Sequence, residues 1–331
     1  MKAHHDSVLM TEVLEALHVQ PNDTVVDATL GGAGHFAAFL GELGAGGTLV
    51  GIDADPAAVE RGREAYAQDR RPERPIAHVV NENFRNLARI LERLGIGHVD
   101  AILFDLGWSG YQIAAPRGFS FSAVDTATSD EQDQPLLMTY GEDGLTGQSE
   151  TAATIVNSSS EEALADLIFA YGEERFARGI AHAIVMARSK GHILTTGALV
   201  EAIKTGTPAW YHTGKSHPAT KTFQALRIAV NDEIGALREG LTAALAALAP
   251  CGRLAVISFH SIEDRVVKNM LRDAVQKGRG SLITKKPIIP SRIEILKNRR
   301  ARSAKLRVFE RDAMVSNTET MDASPSILSY V

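Results

Sequence analysis

Three short apolar runs early in the chain each end on an aspartate: Val25-Val26-Asp27, Leu49-Val50-Gly51-Ile52-Asp53 and Ala101-Ile102-Leu103-Phe104-Asp105. Segments of helical periodicity separate them, so strand and helix alternate. Alternation of this kind builds an open parallel sheet whose strands point their carboxyl ends into one crevice, where ligands bind. Three acids at three strand ends, with the glycine turn Gly31-Gly32-Ala33-Gly34 after the first, describe a nucleotide-sized pocket.

The pattern predicts a helix over 8–18, then strands at 24–28, 48–53, 76–80 and 99–105 alternating with helices at 34–43, 56–68 and 84–94. Residues 106–150 are rich in Gly, Ser, Thr and acids and carry little periodicity. From Ser160 the pattern is helical: Leu164, Leu167 and Ile168 recur in one run, and Phe176, Ile180, Ile184 and Val185 in the next. A third helix is expected after Thr195-Thr196-Gly197. The α/β pattern resumes with one long helix over 218–248, a strand over 253–259, a helix from Ser261, a basic loop and a last strand over 305–309. The expected organisation is a discontinuous α/β domain of residues 1–110 and 214–312, an inserted all-helical domain of 111–213 and a flexible tail of 313–331. At 331 residues and 44% hydrophobic, the chain can bury one large core or two modest ones.

Net charge is only −5, but its distribution is segregated. Gly118 to Glu174 holds twelve acids and no Lys or Arg, whereas Arg265 to Arg311 holds fifteen Lys and Arg against three acids. The basic field is large enough to dock a polyanion; a solvated basic surface is the plainer alternative. The lone Cys251 excludes an intrachain disulfide and a cysteine-rich zinc site. His4, His5, His212 and His217 show no ligand spacing, so no metal is expected. Met1 to Asp6 leads into no apolar run, and the most apolar stretch, 241–259, is broken by Pro250, Gly252 and Arg253. A cytoplasmic protein with no membrane span is expected.

Two cofactors suit the pocket. Gly32-x-Gly34-x-x-Ala37 fits the dinucleotide pattern, with Asp53 as the ribose acid. S-adenosylmethionine (AdoMet) fits better. Its ammonium wants a carboxylate or carbonyl near the first turn, where Asp27 and Gly31 stand, and its ribose wants a bidentate acceptor at the second strand end. It carries no pyrophosphate, so a strict glycine fingerprint is unnecessary.

Several blocks, in order along the chain, resemble the RsmH (MraW) family of small-subunit rRNA cytosine methyltransferases. They are His5-x-x-Val8-Leu9, the run Asp27 to His35, Asp105-Leu-Gly, Arg117-Gly-Phe-Ser-Phe121, Tyr171-Gly-Glu-Glu-Arg-Phe176, the seventeen residues His217 to Glu233, Ser258 to Arg265, and Ala301 to Arg307. The resemblance implies a Rossmann-like class I AdoMet methyltransferase sheet with helices on both faces and a helical insert. It implies AdoMet at Ala33, Gly34, His35, Asp53, Phe84, Asp105 and Gln112, with Phe84 against adenine. The implied reaction methylates the exocyclic amine of a cytidine in the decoding region of small-subunit RNA, within a ribosomal subunit.

That amine is a poor nucleophile, its lone pair being delocalised into the ring. In-line placement supplies most of the acceleration, and an acceptor must receive the proton late. Asp105 is the candidate acceptor; binding cofactor alone is its other reading. The target base must be unpaired or flipped to enter. On the helix of the His217 block, Thr220, Gln224, Arg227 and Asn231 share a face unlike an ordinary Lys/Glu surface and suggest a site wall, with His217 at its start. His260 sits at a strand end where it could touch the base, and Ser261-x-x-Asp264 resembles a capping box. Lys285, Lys286, Arg299, Arg300, Arg302 and Lys305 would hold RNA phosphates.

Two segments depart from the family pattern. Trp108-Ser-Gly-Tyr111 precedes Gln112 where Val-Ser-Ser is common, and Trp108 and Tyr111 offer stacking surfaces for a splayed base. Pro135-Leu-Leu-Met-Thr-Tyr140 stands where a Pro-Leu-Asp-Met-Arg-like segment is common. A nicotinamide dehydrogenase and a ribosome-assembly factor without turnover are the rival readings.

Overall fold

The computed structural model describes residues 7–107, 117–120, 133–140, 150–214 and 216–313. Trp108, Tyr111, Gln112 and the tail beyond Ala313 lie outside the described residues.

The amino-terminal half follows the strand–helix alternation. Helix α1 (Met10–Leu17) leads into β1 (Thr24–Asp27), α2 (Gly34–Glu42), β2 (Thr48–Asp53), α3 (Pro56–Gln68), β3 (Ile76–Asn81), a 3₁₀ turn at Phe84–Asn86, α4 (Leu87–Leu94) and β4 (Val99–Asp105). A helical layer follows: α5 (Ala152–Ser158), α6 (Glu161–Gly172), α7 (Ala177–Arg188), α8 (Thr196–Thr205), the short α9 (Ala209–His212) and α10 (Thr220–Val230). The sheet resumes through α11 (Glu233–Ala247), β5 (Leu248–Ser258), α12 (Ser261–Gln276), β6 (Gly280–Leu282), α13 (Arg292–Lys297), a 3₁₀ turn at Arg299–Ser303 and β7 (Lys305–Arg311).

The seven strands lie in the order β3-β2-β1-β4-β5-β7-β6. The pairs among β3, β2, β1, β4 and β5 are parallel, and β7 runs antiparallel to both β5 and β6. Strand order reverses about β1 and β4, so the crevice opens at their carboxyl ends. Alternate strand residues feed two cores. Val25, Leu49, Leu103 and Ile257 pack with α1, α2 and α3 on one face. Val26, Val50, Phe104 and Val256 pack with α4, α11 and α12 on the other. This is the expected Rossmann-like class I sheet.

Four sequence expectations are corrected. The single helix over 218–248 is two helices, broken where Asp232 takes a left-handed conformation (φ 45°, ψ 47°). Phe223 and Leu226 of α10 belong to the helical core, while Leu237 and Leu241 of α11 belong to the sheet core, so the chain must turn between them. β5 begins at Leu248 rather than 253. Leu248 pairs with Val99 and Arg253 with Ala101, so the intervening residues, with Cys251 at φ 62°, form an irregularity within the strand. The basic loop contains β6 and α13, both too short to show periodicity, and α5 lies ahead of the first expected helix of the insert for the same reason.

Candidate active site

Backbone hydrogen bonds hold the three strand ends in one floor. After β1 the chain turns through Gly31, whose φ of 49° suits a residue without a Cβ. Gly31 N–H donates to Asp53 Oδ2 at 2.8 Å, and Asp55 N–H donates to Oδ1 of the same carboxylate at 2.8 Å. Arg61 Nε donates to the Gly31 carbonyl at 2.8 Å. At β4 the Asp105 N–H donates to Thr29 Oγ1 at 2.6 Å, and the Asp105 carboxylate lies 3.5 Å from His35 Nδ1. Phe84 meets Phe104 edge to face, with ring centroids 5.4 Å apart.

Over this floor lies a cleft of about 1170 Å³ of atom-free space, its open mouth included. One half is lined by Gly31, Gly34, His35, Asp53, Phe84 and Asp105, the other by Tyr140, Asn231, Glu233, Glu263 and Arg300. The size and the mixture of apolar wall and convergent polar groups suit a nucleoside-like ligand together with a second reactant.

The acids of the first half are only weakly countered: Arg61 acts on Asp53 and the His35 imidazole lies 3.5 Å from Asp105. Burial raises Asp53 to about 6, against the backbone N–H groups of Asp55 and Gly31. Burial raises Asp105 to about 7, and the nearby Glu263 charge adds to it. Asp27 is pushed well above the usual carboxylate range, again chiefly by burial. Asp105 Oδ1 and Asp27 Oδ2 are buried with no hydrogen-bond partner. Such atoms cost free energy in the empty protein; Asp105 lines the cleft, where a ligand can supply the missing donor, whereas Asp27 does not.

The acids of the second half are paired. Arg227, buried on α10, ion-pairs with Glu233 at the start of α11 (Nε–Oε1 2.6 Å, Nη2–Oε2 2.7 Å). Tyr140 Oη donates to Glu233 Oε1 at 2.6 Å, and burial beside that carboxylate pushes the phenol well above its usual value. Burial alone would raise Glu263, but His260 and Arg227 hold it below the ordinary range. Glu233, His260 and Glu263 bring potential ligand atoms within 4.8 Å of one another. The Arg227 guanidinium lies 3.4 Å from His260 Nε2, so a fixed organic cation stands where a metal would.

Of the predicted cofactor residues, Gly31, Gly34, His35, Asp53, Phe84 and Asp105 come together on the cleft wall. Asp27 does not line it; at 1% exposure it accepts the Thr29 N–H at 3.2 Å and braces the turn from behind. Ala33 is also buried, in a left-handed conformation (φ 61°) as the cap of α2.

Most side chains of the predicted substrate wall are bonded within the protein. Only Asn231 reaches the cleft, and its amide ties the two layers, donating to Met138 O at 2.7 Å while its oxygen accepts Tyr140 N–H at 3.1 Å. Gln224 donates to Tyr171 O at 2.9 Å, and His217 Nδ1 accepts the Ala219 N–H at 3.2 Å. The capping box is displaced by one residue: His260 caps α12 and Glu263 reciprocates, while Asp264 binds Lys305 (3.0 Å) and Arg307 (2.7 Å). Lys285, Lys286, Arg300 and Arg302 are exposed, and of these Arg300 lines the cleft. Sequence reasoning missed Tyr140, Glu233 and Glu263. The two glutamates sit inside the quoted family blocks; Tyr140 gave no signal beyond its place in a divergent segment.

The model of the MraW methylase family matches residues 2–312. A Deinococcus radiodurans protein named ribosomal RNA small subunit methyltransferase H is 47% identical over 312 residues, covering 93% of this chain and 90% of that one. A Brevibacillus brevis protein of the same name is 42% identical over 326 residues, covering 93% and 98%. Among solved structures, an rRNA methylase from Streptococcus thermophilus covers 92% of this chain and 93% of its own at 13% identity and a TM-score of 0.37, which adds nothing to the sheet order.

Proposed function

The chain belongs to the MraW methylase family, and from that premise we propose that it methylates the exocyclic amine of a cytidine in the decoding region of small-subunit rRNA, acting on a ribosomal subunit. The methyl donor is S-adenosylmethionine, which supplies an electrophilic methyl on a sulfonium when bound. Asp53 at the β2 end has free lone pairs for the ribose hydroxyls after its two backbone bonds. Phe84 offers an apolar ring to the adenine, and the Gly31 to His35 turn holds the amino-acid end.

The carrying observation is Asp105. It lines the first half of the cleft within electrostatic reach of Glu263 in the second, and keeps one buried oxygen without a hydrogen-bond partner. A carboxylate there orients the amine by accepting an N–H and takes the proton late, and a value near 7 matches proton affinity to working pH. Tyr140, Asn231 and Glu233 close the far wall and keep the amine out of bulk water. Arg300 at the rim and the exposed Lys285, Lys286 and Arg302 supply charge for phosphates. The ordered Arg227 network makes the wall rigid, which favours positioning.

Small subunits lacking modification, incubated with methyl-labelled AdoMet and digested to nucleosides, test the reading. Label on the cytidine amine supports it. Binding of AdoMet without transfer would favour an assembly factor instead, and nicotinamide dinucleotide in the cleft would favour a dehydrogenase.

A further inference from the structure

Behind the cleft, across Phe259, lies a second pocket of about 630 Å³ of atom-free space, its mouth included. Its apolar wall includes Phe259, Ile289, Pro290 and Ile295, its polar side His260, Ser261, Ser303, Arg302 and the Asp264-bound Lys305, and Phe259 is common to both cavities. Phe259 follows the end of β5, and its ring is seated against Gly107 so closely that a Cβ there would lie 2.5 Å from it. The ring thus stands between the two cavities, in contact with Gly107.

The two cavities share a second element. Arg300 lines the cleft and Arg302 the second pocket, both on the 3₁₀ turn Arg299–Ser303. At three residues per turn, positions two apart point in different directions. Neither guanidinium forms an ion pair among the described residues, whereas Lys305 and Arg307 close by are held by Asp264. Ile289 stays 66% exposed beside them. An apolar floor with an unpaired cation at its edge matches a nucleobase joined to a phosphate.

Resting on the reading of the cleft as a cytidine site, we propose that this second pocket receives the nucleotide adjacent to the target. The strand would cross Phe259, which separates the two bases. The neighbour's base packs on Ile289, Pro290 and Ile295, and its phosphate lies on Arg302. The target is then held out of its stack by capture of its neighbour as well as by its own cleft.

Binding to the full chain saturated with S-adenosylhomocysteine tests this, using cytidine monophosphates and cytidine-containing dinucleotides with the neighbour on either side. One dinucleotide order is expected to bind about tenfold tighter than the monophosphate. Ile289→Ser and Arg302→Ala should each remove that gain, and Ile289→Ser, an exposed substitution outside the phosphate-binding cations, should leave monophosphate and S-adenosylhomocysteine affinity unchanged. No gain for either order, or a gain untouched by both variants, overturns the second pocket. Labelling of subunits by the wild type would then leave the cytidine reading standing; loss of labelling together with no monophosphate binding overturns both.

Discussion

The two halves of the cleft bury acids by opposite means. Beneath the cofactor half, Asp27, Asp53 and Asp105 have little cationic help, from Arg61 and His35 alone among the interactions described, and burial raises all three. Across the cleft, Glu233 and Glu263 are as deeply placed but share Arg227, Tyr140 and His260. Firmly paired charge fixes architecture; the weakly countered Asp53 and Asp105 on the cleft wall are open to a ligand. Proximity to the cleft alone does not distinguish the two, since both halves line it.

The largest effect should come from Asp105→Asn. Methyl transfer should fall by about 10²–10⁴, as for loss of a positioned proton acceptor. Stability of the cofactor-free protein at pH 8 should meanwhile rise, on the order of 1–2 kcal/mol, because a buried, ionised carboxylate is removed. Transfer kinetics and urea unfolding report the two. A variant that loses both activity and stability would place Asp105 with the paired acids and break the contrast.

Arg227→Met should do the reverse. It leaves Glu233 and Glu263 buried without their cation and should cost about 3 kcal/mol in urea unfolding. Adding Glu233→Gln should recover part of that loss, since the pair forms a unit. If Arg227→Met instead weakened only RNA binding, the residue would be a substrate contact, as its helical stripe suggested.

The pH dependence sharpens the same contrast. Asp105, raised to about 7, is ionised above that value and protonated below it. The kcat/KM for AdoMet, which reports the free protein, should therefore fall about tenfold per pH unit below 7. For stability the sign is opposite. A carboxyl whose folded value exceeds the unfolded value of about 3.9 contributes stability at low pH that is lost as pH rises from about 4 to 7. Stability of the empty protein should thus respond to pH in that window through the floor acids, and Asp105→Asn should flatten the response.

These differences also mark what the sequence could show. Strand ends and their aspartates were legible because burial on both faces enforces apolar runs and the crevice lies at their ends. The amphipathic signal of α10 and α11 was legible too, but not the break at Asp232, since the apolar stripe from Phe223 to Leu237 runs on while changing cores. Polar residues were harder. Gln224 and Arg227 have the composition of a binding wall, yet their partners, Tyr171 O and Glu233, are set by tertiary packing. Sequence spacing places a polar side chain on a face and says nothing about whether protein or ligand completes it.

The smallest effect tests the contrast outside the cleft, among the cations of the carboxyl-terminal segment. Sequence alone puts Lys305 and Arg300 in one phosphate-binding class. In the structure Lys305 is bound to Asp264 at 3.0 Å, while Arg300 has no ion pair among the described residues. Arg300→Ala should weaken RNA binding about uniformly across sequences and reduce the salt slope by roughly one. Lys305→Ala should change that slope by less than about half of one, because its charge is already met within the protein. Filter binding across a salt series measures both. Equal slopes for the two variants would mean that RNA draws Lys305 away from Asp264, and that pairing in the free protein does not predict which cations the substrate meets.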